Sequence, residues 1–202
     1  MRAREGYIFI DIDGQDIPAA KVEHHRDDRQ GKNTYYFRYG KSYLNNSKAF
    51  PLDPRQLPLS DSVYTHERLP LAIQDNGPDE FGRFLYERIN GGIPESPLDY
   101  HIDNGITGVG SIAISPNLTP PSPGTQTTLA HIDELSDAYR ALEENRPLSP
   151  KMETLLNPGI SLPGVRPKAL LVDPSGDEWI VKFNRSNDPI NVAIAEYAAM
   201  SA

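Results

Sequence analysis

Proline and glycine set the terms on which this chain can fold. Nineteen prolines and fifteen glycines are spread over 202 residues, and each proline removes a backbone donor and obstructs the helix behind it. Long helices are not expected outside two windows, so the first part of the chain should consist of strands and ordered loops. The length suits one large domain or two small ones and suffices to bury a core. Two modest units are expected.

Tyr7 to Ile12 alternates apolar with variable residues, Asp13-Gly14 supplies a turn pair, and Ile17 to Val22 can return as a partner strand. Asn33 to Tyr39 is dense in β-favouring aromatics and stops at Gly40, so it can add a third strand to the same sheet. Lys41 to Leu59 holds three prolines and no period, and is read as loop.

Pro78 sits where a helix can begin, with Asp79 and Glu80 at the positive end of its dipole. Phe81, Phe84, Leu85 and Ile89 then share one face, and Asn90-Gly-Gly closes the helix. Thr107 to Ser115 reads as a strand with close backbone approaches at its glycines, and Pro116 to Thr128 as a flexible surface loop. Asp133 is placed to cap a packing helix with Leu135, Ala138, Tyr139 and Leu142 on one side. The prolines between 147 and 158 mark a domain boundary, giving units 1–147 and 148–202.

From Gly159 the pattern becomes strand, glycine turn, strand, tight turn at Pro174-Ser-Gly176, strand. Glycine lets the main chain approach phosphates closely enough for N–H groups to bond them. Lys182 stands in an apolar strand beside Trp179, Ile180, Val181 and Phe183, where a buried ammonium needs an anionic partner. Fourteen residues on, the window Asp188 to Met200 has helical apolar spacing and carries Glu196. In kinase architectures a helix glutamate pairs with a strand lysine so that the lysine meets the α- and β-phosphates. Taken singly, a strand lysine more often snorkels and a helix glutamate more often faces water.

Composition removes several alternatives. The net charge of -8 repels nucleic acid, whose binding depends on phosphate neutralisation. Without cysteine there are no disulfides or thiolate metal sites, and no apolar run approaches the roughly 20 residues of a spanning helix. No export signal is read at the amino terminus, where an alternating strand replaces a long apolar region, so the expected location is cytoplasmic. His24-His25 is assigned to a solvated turn, because adjacent strand histidines face opposite sides and share a metal poorly.

The run Gly159-Ile-Ser-Leu-Pro-Gly-Val-Arg-Pro-Lys-Ala-Leu-Leu, with Glu178-Trp-Ile-Val-Lys-Phe and Ala195-Glu-Tyr-Ala-Ala-Met, closely resembles HipA-family serine/threonine kinase toxins. The likeness extends to Tyr36-Phe-Arg-Tyr-Gly-Lys-Ser-Tyr-Leu, Phe50-Pro-Leu, Asp79-Glu-Phe-Gly-Arg-Phe-Leu and Gly108-Val-Gly-Ser-Ile. It implies an α+β fold: a mostly antiparallel β amino-terminal subdomain with a few helices, then the start of a protein-kinase-like N-lobe. That lobe would comprise a glycine-rich loop, a lysine strand and an αC-like helix.

The same resemblance implies roles. Gly164 would form the loop over ATP, Lys168 would end that loop near the phosphates, Lys182 would contact them, and Glu196 would be its helix partner. Ser161 matches the loop serine that is autophosphorylated in the family, and a phosphoserine there would put nearly two negative charges where the phosphates of ATP lie. ATP and Mg²⁺, a protein substrate and a helix-turn-helix antitoxin are the implied cofactors and partners. The family's catalytic Asp and Mg²⁺ ligands lie beyond the αC-like helix, so residues 1–202 alone are expected to be inactive. Two other readings stand beside this one: a non-catalytic module that binds an antitoxin or a separate kinase lobe, and an unrelated α+β domain in which Lys182 and Glu196 are surface charges.

Overall fold

The computed structural model describes residues 2–102, 111–121, 127–156 and 166–201. Strands β1 (Arg2–Ile12) and β2 (Gln15–Asp27) form the predicted hairpin. Asp13 and Gly14 both take positive φ, 55° and 78°, the tight-turn geometry that suits strand twist. The hairpin runs well past the apolar alternation that signals it, because its polar face is also paired: Lys21 bridges Glu5 at 2.6 Å and Glu23 at 2.8 Å. Between Ile8 and Phe9 the register slips by one residue, opposite Pro18, as a bulge accommodates a proline that cannot donate to the ladder.

Strand β3 (Lys32–Tyr39) lies on β2, as its aromatic content predicts. Helix α1 (Lys41–Leu44), strand β4 (Tyr64–His66), and helices α2 (Leu71–Gln74), α3 (Glu80–Asn90) and α4 (Asp99–Ile102) precede β5 (Ile112–Ser115). The sheet has the order β4-β3-β2-β1-β5 with every neighbour antiparallel. One face, with Ile8, Ile10, Val22, Phe37 and Ile114, buries against Tyr43, Leu57, Leu69 and Leu98.

The segment read as loop from Lys41 to Leu59 is ordered by tyrosine hydroxyls rather than by periodicity. It opens with the short α1, contrary to expectation. Tyr39 donates to the Leu57 carbonyl at 2.7 Å and accepts from the Leu52 N–H at 2.8 Å, while Tyr43 donates to the Phe50 carbonyl at 2.9 Å. Burial pushes the Tyr39 phenol up to about 12, so it stays a donor at neutral pH.

Helix α3 starts two residues later than Pro78 suggests, because Asp79 caps it, its Oδ1 accepting from the Gly82 N–H at 2.9 Å. It ends where Asn90-Gly-Gly predicts, with Gly91 at a left-handed φ of 78°. Of its expected apolar face, Leu85 is buried and Phe84 is largely exposed. A 3-10 turn, Leu129–His131, leads into α5 (Ile132–Glu143), so Asp133 lies in the first turn rather than at the cap. Helix α6 (Pro150–Leu156) occupies the proline-rich stretch. Strands β6 (Lys168–Val172) and β7 (Glu178–Lys182) make a second, two-stranded antiparallel sheet, followed by α7 (Val192–Met200).

A second apolar cluster joins these parts. Leu85 of α3, Leu135, Ala138, Tyr139 and Leu142 of α5, Leu156 of α6 and Leu171 of β6 pack together. The helices before residue 147 thus share a core with the β6–β7 hairpin. Thr127 and Thr128 also run along β6, with the Val172 N–H donating to the Thr127 carbonyl at 3.0 Å. This end of the proline-rich 116–128 stretch is therefore pinned, where a flexible loop is expected from composition.

The histidine pair departs from expectation. His24 lies within β2, 3% exposed, stacked on Tyr35 at 4.7 Å with Nε2 3.0 Å from Asn33 Oδ1. His25, on the opposite face, meets the edge of Tyr36 at 5.1 Å. The reading as a solvated turn fails because the charged hairpin face continues the strand through both residues.

His101 of α4 is almost wholly buried, and burial, with Arg83 nearby, lowers its pKa to about 4. Native His101 therefore refuses a proton that the unfolded chain accepts from about pH 6.5 downward. It contributes stability above that pH which is lost as the pH falls to about 4, up to about 3 kcal/mol. Urea midpoints followed by circular dichroism should drop across this window, and His101→Phe should flatten the drop. A Cβ at Gly77 would lie 2.9 Å from the His101 ring, so Gly77→Ala should destabilise by about 1–3 kcal/mol at pH 7.5.

Candidate functional site

Lys168 opens β6, Lys182 ends β7, and the two are directly opposite in the antiparallel register. Paired residues project from the same side of a hairpin. The other side, with Ala169, Leu171 and Val181, packs into the second apolar cluster. Like charges directly opposite disfavour pairing, so this arrangement persists only with counter-charges close by.

Each lysine has one. Lys182 Nζ lies 2.7 Å from Glu196 Oε2, and helix α7 positions that carboxylate. Asn191 caps α7 by accepting from the Ile194 N–H at 3.1 Å. Asn184, two residues past the lysine, holds both Asn191 Oδ1 at 2.9 Å and the Ala193 N–H at 3.1 Å. The strand end and the helix start are thus tied by one amide side chain.

Lys182 is not buried, contrary to the argument from its apolar strand. Its side chain is 49% exposed and that of Glu196 40%, and Ile180, on the same side of β7, is also largely exposed. Strand β7 covers the apolar cluster on one side and faces outward on the other, a distinction an apolar run of five residues does not encode.

Lys168 is the buried member, its side chain only 9% exposed, with Nζ 4.0 Å from Asp79 Oδ2. Desolvation pulls its ammonium pKa down, the Lys182 charge adds to that, and the Asp79 carboxylate opposes both. Beside them, Arg166 grips Asp188 with two hydrogen bonds, at 2.7 and 2.9 Å. Asp188 also accepts from the Arg185 N–H at 2.9 Å, and these donors hold its carboxyl below the usual range.

The structure brings together Lys168, Lys182 and Glu196. Gly164 and Ser161 lie outside the described residues, as do Gly108 and its neighbours up to 110. The charged partners Asp79, Arg166 and Asp188 escape sequence reasoning as members of this cluster. In the sequence Asp79 is visible as an acid suited to the positive end of a helix dipole, and its distance of 89 positions from Lys168 hides the contact. The described residues contain no group of three or more His, Cys, Asp or Glu side chains placed to hold a metal, and no helix among them is long and apolar enough to cross a membrane.

The family model described as the HipA N-terminal domain matches residues 11–115, just over half of the chain. The match takes in the five-stranded sheet from the end of β1 to β5, together with α1 to α4. Asp79 falls inside it, and both lysines fall outside. No curated protein matches the chain.

Because both partners are half-exposed, the Lys182–Glu196 bridge should matter little to folding. A double-mutant cycle on Lys182→Ala and Glu196→Ala, read as urea stability, should give a coupling below about 1 kcal/mol. A larger coupling would make the bridge a structural clamp.

Proposed function

The chain belongs to the HipA N-terminal domain family, and on that premise we propose that it is the amino-terminal part of a HipA-like serine/threonine protein kinase toxin, one that transfers the γ-phosphate of ATP to a protein substrate. In this reading residues 148–202 begin a kinase-like N-lobe: a glycine-rich loop around Gly164, the lysine strand β7 and the αC-like helix α7. The toxin–antitoxin context of the family extends the proposal to a helix-turn-helix antitoxin as partner and a cytoplasmic location.

One observation carries the reading: a strand lysine bonded to a helix carboxylate, Lys182 to Glu196 at 2.7 Å, with a second lysine directly opposite. A phosphate oxygen entering between Lys168 and Lys182 would turn their mutual repulsion into shared attraction. Glu196 would orient Lys182 so that its ammonium points at that oxygen instead of sweeping through solvent. Backbone N–H groups near Gly164 would cover the phosphates, and phosphate on Ser161 would compete for the same positive charge. When bound, Mg²⁺ would neutralise charge on the transferring group. Among the described residues there is no group of three or more His, Cys, Asp or Glu side chains placed to hold it.

A non-catalytic interaction module remains the second reading, favoured by a groove of about 760 Å³ on the outer face of the large sheet, lined by Tyr7, Lys21, Tyr36, Arg38, Val63 and Leu118. The expected results separate the two. The chain should bind ATP, and Lys182→Met should weaken binding at least about tenfold, since charge-assisted bonds are each worth about 1.5–3 kcal/mol. Ser161→Glu should weaken it as well. Equal ATP affinity for wild type and Lys182→Met in calorimetry would remove the kinase reading, whereas γ-labelled phosphate appearing on Ser161 would remove the module.

A further inference from the structure

Lys168 is held in a position that works against its own charge. Its side chain is nearly closed off from water, and the ammonium of Lys182 projects from the opposite position on β7. Glu196, the nearest answer in sequence, is already bonded to Lys182. A carboxylate that faces Lys168 comes from far away in the chain: Asp79, at the start of α3, inside the matched amino-terminal domain.

Asp79 divides its two oxygens between two tasks. Oδ1 caps α3 through the Gly82 N–H. Oδ2 is buried, has no hydrogen-bond partner, and stands 4.0 Å from Lys168 Nζ. A cap needs one oxygen, and Ser or Asn supplies it without a charge. The second oxygen, out of water and turned to an ammonium, makes sense as a counter-ion that stops short of a tight bridge.

We propose that Asp79 is a positioning residue which keeps Lys168 protonated and aimed for an incoming phosphate, so that the amino-terminal domain sets the charge of a lysine in the nucleotide site. The proposal deepens the nucleotide-binding reading and rests on it. At 4.0 Å the carboxylate favours the ammonium without closing on it. Among the described residues, the other charged or titratable groups near Lys168 include Lys182 on β7, Glu196 on α7, the Arg166–Asp188 pair, and Tyr139 on α5, whose hydroxyl donates to the Lys168 carbonyl at 2.8 Å. Burial holds the Tyr139 phenol neutral far above neutral pH, so none of its charge reaches the lysine.

The experiment titrates Lys168 directly, by NMR of protein carrying ¹³Cε-labelled lysine, with the Lys168→Arg variant identifying the signal. In Asp79→Asn, which keeps the cap, the Lys168 midpoint should fall by about one pH unit or more, the size of shift an opposite charge within 4–6 Å produces. Asp79→Ser should do the same and serves if the Asn variant folds poorly. An unmoved midpoint in both variants overturns the proposal. ATP affinity measured against pH in the same proteins should show its alkaline fall-off at lower pH in Asp79→Asn than in wild type. If the midpoint moves but wild type binds no ATP at any pH, the counter-ion stands and the nucleotide reading falls. If wild type binds ATP and neither midpoint nor fall-off moves, only the role of Asp79 is lost.

Discussion

Tyr139 is the contact on which the geometry of the second half depends. Its ring sits 5.6 Å from that of Phe81 on α3 and 4.8 Å from that of Phe183 just past β7, and its hydroxyl holds the carbonyl of Lys168. One side chain on α5 thus touches the helix that Asp79 caps and both strands of the lysine hairpin at its open end. A two-stranded hairpin is marginal on its own. Here it becomes a fixed platform because its inner face closes over Tyr139, Leu135 and Leu142.

From that platform the electrostatics follow. Antiparallel register sets the two lysines opposite each other, and the fold answers each differently. Lys182 is half open to solvent beside the Glu196 carboxylate of α7, where water screens much of the interaction. Lys168 sits inward, where screening is weak and the balance of desolvation, repulsion and attraction decides its proton. Two residues of the same type, facing the same way, therefore answer to different forces.

Much of the large sheet was legible because its signals are local. Asp13-Gly14 dictates a turn, the aromatic density of Asn33 to Tyr39 favours a strand, and Pro78 and Asn90-Gly-Gly mark out a helix, all within a few residues. The pairing of Lys182 with Glu196 was also within reach, through the strand-lysine and helix-glutamate pattern of kinase architectures. What was hidden depends on distant contacts. The tyrosine hydroxyls that order residues 45–59 bond backbone atoms with no sequence signature. The burial of His24 depends on Tyr35 across the strand. The prolines between 147 and 158 look like a linker, yet they flank a helix, α6, whose Leu156 enters the same core as Leu85 and Leu171. Asp79 belongs to the lysine cluster only through the packing of α3 under the hairpin.

Trp179 is the only tryptophan in the chain. It stands on β7, half open to solvent, with its indole N–H donating to Asp173 across the hairpin turn at 3.0 Å. Indole emission from this protein is thus a single-site signal from the small sheet, three residues from Lys182. The tyrosine-rich large sheet is silent in that channel. A fluorescence melt would time the loosening of the hairpin and a far-ultraviolet melt the loss of the five-stranded sheet, so any gap between the two curves would measure how tightly the two halves are coupled.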